Sequence, residues 1–300
     1  MNLPLERLPR GARVAVIRLR SLGDCVLTTP AIALLKAHRP DLSIAVAVEG
    51  RFAAVYEGNP DVDKILSPAT SEIAAWRPQL ALNLHGGSRS TVLTIASRAG
   101  MRAGWANHTW SAAYNIRIPR AQEILGVERV VHTAEHVASA VFHLGVPQVE
   151  IPRAKLFVDA APARAPYAVI HAFASAPEKA WPAERFVQTA ERLRESGLEP
   201  VFLCGPGDDA SPFSGFECSK GLLRSAKSLL RDATIFVGND SGPAHMAAAF
   251  GIPVVVLYGP SDPVVWAPWR TESRVFTDLP TVQPEHVAEA ASELLARVRA

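Results

Sequence analysis

Cysteine is scarce and scattered. Cys25, Cys204 and Cys218 are the only three in 300 residues, and none stands in a C-x-x-C pair. An odd, dispersed set argues against a disulfide framework, offers no zinc or iron–sulfur spacing, and fits a reducing compartment. Long apolar runs are also lacking. The most apolar stretch, Ala244 to Tyr258, is interrupted by Gly251 and Pro253, so it reads as helix, turn and buried strand rather than a membrane span. Met1 to Arg13 carries Glu6 and no apolar segment of signal-peptide length, so the expectation is a cytoplasmic protein, attached at most to a membrane surface. The chain has no G-x-G-x-x-G after its first strand, no G-x-x-x-x-G-K-[ST] and no H-E-x-x-H. Dinucleotide oxidoreductase, P-loop and zinc-protease readings therefore lose their usual support, and neither a metal nor a cofactor is expected. With no RNA-binding aromatic motif and no long basic run, no nucleic-acid partner is expected either.

What is present is an ordinary globular composition, 48% hydrophobic and 20% charged, at a length that suits two domains of about 150 residues. The net charge of +2 hides an asymmetry. Residues 1–150 hold 16 Lys/Arg against 12 Asp/Glu, and residues 151–300 hold 15 against 17, so the first half is the better partner for an anion. Arginine supplies 25 of the 31 basic residues, which suits forked contacts to phosphate and carboxylate and equally suits a GC-rich coding bias.

Short β-branched runs alternate with helical patterns: Arg13 to Leu19, a helix through Ala31 to His38, Ser43 to Val48, Leu80 to Leu84, and a helix over Ser88 to Arg98. That alternation predicts an α/β fold with a parallel sheet. The small-residue and proline stretch from Val158 to Pro166 suits a linker, and the alternation then restarts. Strands are predicted at Tyr167 to His171, Pro200 to Cys204, Thr234 to Val237 and Pro253 to Leu257. Helices are predicted at Pro182 to Ser196, Pro243 to Phe250 and Pro284 to Arg297. The domains are accordingly placed at 1–160 and 161–300, with the last helix a candidate to pack back on the first domain.

Three motifs carry chemistry. In "RLRSLGDCVLTTPA" (Arg18 to Ala31) a strand ends in a Ser-Leu-Gly-Asp turn at the carboxyl edge of a sheet, where ligands bind. Asp24 there reads either as an N-cap or as a catalytic carboxylate. In "HAFASAPEKAWPAERF" (His171 to Phe186), Lys179 reads either as a solvated surface lysine or as a point charge for a phosphate. Trp181 and Phe186 read as packing residues, and Glu184 with Arg185 as a helix-face charge pair. In "FVGNDSGPAHMAAAFGIPVVVLYGPSDP" (Phe236 to Pro263), a strand delivers Asn239, Asp240, Ser241 and Gly242 to a helix with Pro243 in its first turn. The free amides of that turn form a diphosphate seat. Asp240, repelled by phosphate, is better used on sugar hydroxyls. His245 reads evenly as ligand contact or helix packing. The weaker "GPGDD" loop, Gly205 to Asp209, places Asp208 or Asp209 near a ribose or base.

In this order, with "EGNPDVDKIL" at Glu57 to Leu66, these motifs resemble the ADP-heptose:lipopolysaccharide heptosyltransferase family, glycosyltransferase family 9, from about Val14 to Trp266. The resemblance implies a GT-B fold: two Rossmann-like domains facing each other across a cleft. It implies inverting transfer from an ADP-heptose donor, held by the second domain, to an anionic glycolipid acceptor on the first. Asp24 would be the general base. Ser175, Lys179, Asp208, Asp240, Ser241, Gly242 and His245 would bind donor. The acceptor side is assigned Arg18, Arg20, Ser21, Gly23 and Arg89. Contact with the cytoplasmic face of the inner membrane is a further expectation, because residues 88–104 read either as a basic amphipathic surface helix or as a covering helix of the sheet with a solvated polar edge. A nucleotide-sugar epimerase on the same fold and a non-catalytic sugar-nucleotide-binding homologue are the competing readings.

Overall fold

In a computed structural model, which describes residues 3–159 and 164–299, the chain divides into two compact units, Met1–Phe157 and Val158–Ala300. The expected linker therefore lies partly outside the described residues. The first unit runs β1 (Arg13–Ile17), α1 (Leu22–His38), β2 (Ser43–Ala47), β3 (Lys64–Leu66), α2 (Thr70–Trp76), β4 (Leu80–Asn83), α3 (Ser88–Ala96), β5 (Met101–Trp105), β6 (Ile116–Ile118), α4 (Ala121–Leu125) and α5 (Thr133–Leu144). The second runs β7 (Tyr167–His171), α6 (Ala183–Glu195), β8 (Glu199–Cys204), β9 (Glu217–Lys220), α7 (Leu223–Arg231), β10 (Ile235–Asn239), α8 (Gly242–Phe250), β11 (Val254–Leu257), α9 (Pro263–Trp266), β12 (Ser273–Phe276) and α10 (Pro284–Arg299).

Each unit builds one six-stranded sheet, and every strand pair in both is parallel. The orders are β3-β2-β1-β4-β5-β6 and β12-β11-β10-β7-β8-β9. Counted within each unit, both are the doubly wound order 3-2-1-4-5-6, whose strand sequence reverses between the first and fourth strands. The central strands β4, β7, β10 and β11 are buried at every residue because helices cover both faces, which is why they read as near-continuous apolar runs.

Local chemistry explains two features that position the site. Pro30 sits inside α1, where its missing N–H would leave the Val26 carbonyl without its helical donor. The Thr29 hydroxyl donates to that carbonyl at 2.8 Å, so the helix continues. In the second unit Trp181 and Phe186 pack edge to face at 4.9 Å in the main core, as packing residues should. Arg185 does not pair with Glu184; its guanidinium donates to the carbonyls of Leu279, Pro280 and Val282, holding the loop that leads into α10. Helix α10 packs on α6 and on β10, β11 and β12, all elements of the second unit.

Candidate active site

In a doubly wound sheet the crevice opens at the carboxyl ends of the strands where the order reverses. In the first unit those strands are β1 and β4. Residues Arg18 to Asp24 follow β1, and His85 to Gly87 follow β4. The α1 helix starts at Leu22 with Ser21 as its N-cap, so Asp24 occupies the third helical position rather than the cap itself. Its carboxylate reaches back, with Oδ2 accepting from the Ser21 amide at 3.2 Å and the Ser21 hydroxyl at 3.0 Å. Oδ1 accepts from Arg18 at 3.1 Å. A carboxylate oxygen has two lone pairs, so Oδ1 keeps one for a further donor.

Arg18 lies beneath the turn. It is 6% exposed, donates through Nε to Thr28 and through Nη1 to Asp24, and so orients the carboxylate. Arg20 and Ser21 are exposed and Gly23 is buried in the first turn of α1. Arg89 is exposed and lies 3.4 Å from Glu49, which follows β2 and also holds Arg51.

Several residues of this edge carry no motif. Asn83, the last residue of β4, is buried; its Oδ1 accepts from the amides of His85 and Gly86, and its Nδ2 donates to Ser90, Thr94 and Tyr114. It thereby shapes the loop facing Asp24. Gly86 has φ +75, and a side chain there would collide with the His108 ring. His136 stacks on Trp105 at 4.0 Å, beside an open hollow also lined by Asn107, Arg120 and Gln122. Burial, aided by Arg18, pulls the His136 pKa down to about 4, and burial lowers that of His85 as well. Both imidazoles are thus neutral at pH 7. His136 is a weak base, and His85 Nδ1 is sealed from solvent without a partner. Asp24, with a quarter of its side chain exposed, is the carboxylate within reach. Cys25 is buried and its thiol is pushed up to about 12, so it is inert.

In the second unit the order reverses between β7 and β10. The loop after β7 carries Ser175 and Lys179, and the turn after β10 carries Asp240, Ser241 and Gly242. The two meet, with Lys179 Nζ 3.6 Å from Asp240 Oδ2 and both side chains largely covered. Asn239 staples them together: fully buried, it accepts from the Trp181 amide at 3.0 Å and donates to the Ala172 carbonyl at 2.8 Å. Asn83 and Asn239 end the topologically equivalent fourth strands, and each braces its crevice loop. Gly259 lies so close to Glu178 and Lys179 that any side chain would strike the Glu178 carbonyl, which brings the "GPSDP" turn against the lysine loop.

Helix α8 begins with Ser241 as N-cap and Pro243 in its first turn. The Ser241 hydroxyl is buried and makes no hydrogen bond among the described residues, an unusual state for a buried polar group and one expected at a ligand site. His245 packs edge-on to Trp266 at 6.3 Å. Asp208 stands apart from this cluster. Its carboxylate accepts from the Gly205 amide at 2.6 Å and so folds its own loop, facing the buried His171, whose pKa burial pulls down to about 4. Ser175 is exposed.

Asn239→Ala should leave the Trp181 amide and the Ala172 carbonyl buried without partners, at a cost of about 1–3 kcal/mol each. A urea titration followed by tryptophan fluorescence is expected to lose about 2–6 kcal/mol in total. A loss under about 0.5 kcal/mol, within the range of ordinary surface substitutions, would show that Asn239 does not brace the loop.

The profile of glycosyltransferase family 9 (heptosyltransferase) matches residues 74–294. The chain belongs to this family. Lipopolysaccharide heptosyltransferase 3 of Escherichia coli (strain K12) is 25% identical to this glycosyltransferase over 289 residues, covering 84% of this chain and 83% of the relative. Among solved structures, the family 9 glycosyltransferase from Veillonella parvula DSM 2008 superposes with a TM-score of 0.85 at 21% identity, over 95% of this chain and 97% of that one. E. coli heptosyltransferase WaaC, solved with ADP, gives a TM-score of 0.79 at 20% identity, over 94% and 99%. The fold is therefore α/β of the GT-B class, and the two crevices belong to a transferase.

Proposed function

We propose that this glycosyltransferase moves a heptosyl group from ADP-heptose to an anionic glycolipid acceptor of the lipopolysaccharide core, with inversion and without a metal, at the cytoplasmic face of the membrane. The donor seat carries the reading. Lys179, the Gly242 amide at the start of α8 and the Ser241 hydroxyl, unpartnered among the described residues, lie at the crevice of the second unit, a set of donors suited to a diphosphate. As the sugar–phosphate bond breaks, negative charge grows on the departing diphosphate. Lys179 and the helix start stabilise that charge, the task a cation performs elsewhere. Asp240, 3.6 Å from Lys179, stands where a sugar hydroxyl would meet it.

Inversion in one step needs an acceptor hydroxyl to attack from the face opposite the diphosphate, while a base takes its proton. Asp24 is assigned that role, with Arg18 and Ser21 fixing its orientation and one Oδ1 lone pair left for the hydroxyl. E. coli WaaC was solved with ADP, which supports an adenine nucleotide as the leaving group here.

A thermal-shift panel tests the donor. ADP-heptose at about a hundred times its dissociation constant should stabilise the donor unit by about 2.7 kcal/mol and raise its Tm, while UDP-sugars should leave it unchanged. An equal rise with UDP-glucose would overturn the donor assignment.

A further inference from the structure

Helix α3 covers the sheet but leaves apolar side chains outside. Its inward face sets Leu93 into the apolar core beside a stripe of hydroxyls, Ser90, Thr91, Thr94 and Ser97, all buried and hydrogen-bonded to Asn83, Tyr114 and local carbonyls. Its outward face carries Val92 and Ile95, each 55% exposed, between Arg89 and Arg98. The solvated polar edge expected of a covering helix is present in Ser88, Arg89 and Arg98, with the two apolar side chains between them. Alongside α3 lies the segment bearing Trp110, also 55% exposed. Arg102 holds the two together, donating to Ala99 at the end of the helix and to Ala113 of the neighbouring turn. Single exposed apolar residues are ordinary on a soluble protein, but an apolar group rimmed by arginines marks an interaction surface.

Charge decides what covers it. From Arg77 to Gln122 the chain has six arginines and no acidic residue, and among the described residues Arg89 alone of the flanking pair lies beside an acid, Glu49 at 3.4 Å. A protein partner would have to supply a dense acidic rim around an apolar centre, whereas a bilayer bearing anionic headgroups supplies both from one surface. Tryptophan at such a boundary places its ring among headgroups. Helix α3 also begins directly after His85–Gly87, so the patch extends from the loop that faces Asp24.

We infer that the outer face of α3, with Trp110, docks the first unit on an anionic lipid surface, so that a lipid-anchored acceptor meets the Asp24 turn. The use of the surface rests on the acceptor reading above; the binding itself does not, and the two are measured separately.

Vesicle co-sedimentation tests it, with phosphatidylcholine containing about 30% phosphatidylglycerol compared with phosphatidylcholine alone. The wild-type chain should bind the anionic vesicles more tightly than the neutral ones. A Val92→Ser, Ile95→Ser, Trp110→Ser variant should lose roughly tenfold or more in partitioning. Arg98→Gln should lose about fivefold on anionic vesicles alone, the contribution of one basic residue at such a surface. Both variants should keep the wild-type Tm and transfer to a water-soluble acceptor fragment at the wild-type rate. Absence of wild-type binding, or equal binding by the triple variant, would overturn the inference. A wild-type dimer that the triple variant dissociates would overturn it too, by assigning the patch to a second copy. Loss of transfer with vesicle binding intact would count against the acceptor reading and leave the docking surface standing.

Discussion

Lys179→Ala is expected to weaken ADP binding roughly ten- to a hundredfold, the equivalent of about 1.5–3 kcal/mol for a charge-assisted contact. Two effects add. The ammonium that would meet the diphosphate is removed, and Asp240, only 11% exposed, is left beside the incoming phosphates without its counter-charge. Lys179→Arg should recover little of the loss. The backbone of Glu178 and Lys179 is pressed against Gly259, so the loop has little room to shift, and a broad planar guanidinium does not replace a compact point charge. Calorimetry with ADP reads both variants, and an unchanged affinity in Lys179→Ala would reduce Lys179 to a surface lysine.

Asp24→Asn is expected to lower kcat about 10²- to 10⁴-fold while leaving donor affinity near wild type, because a positioned general base typically contributes that much. The amide keeps the shape of the carboxylate. Its oxygen still accepts from Arg18 or from Ser21, though not in the full pattern of the carboxylate, and it cannot take a proton. If Asp24 only bonds the start of α1, the opposite pattern follows. Asp24→Ala would then lower Tm, by the loss of a helix-start contact worth about 1 kcal/mol, and Asp24→Asn would turn over almost normally. Removing the carboxylate also strands Arg18, which is buried and would keep only Thr28 as a side-chain partner. For that reason Tm and kcat have to be read on the same variants.

The central strands were legible because burial on both faces writes itself as unbroken apolar text, as in "RVAVI" and "VVVL". The edges were not. Strand β9 is the four residues "ECSK", half exposed, and β6 is "IRI"; neither shows a period, and both exist only because a neighbouring strand offers its hydrogen bonds. Helix α5 escaped the sequence reading although its signals were present, a Glu three residues after His132 and a Gly at its end. The site divided along the same line. The residues that touch ligand-facing turns stood in motifs, and the structure brings Lys179 to Asp240 and Arg18 to Asp24. The brace Asn239 stood inside the third motif, but Asn83, His85, Trp105 and His136 of the first unit did not, since they come from separate strands, loops and helices that only sheet order places together. Sequence gives no register to show that the Arg18 side chain reaches Thr28 and Asp24.

With the first unit proposed as the source of a base and the second as the seat of ADP-heptose, one assay tests both at once. Wild type and Asp24→Asn are each incubated in EDTA with ADP-heptose and a core-glycolipid acceptor, and the acceptor is followed by mass spectrometry. The predicted result is gain of one heptosyl unit by the wild-type reaction, with ADP released, and a rate at least about a hundredfold lower for Asp24→Asn. No heptosyl gain until magnesium or manganese is restored, or an Asp24→Asn rate within about threefold of wild type, would contradict it.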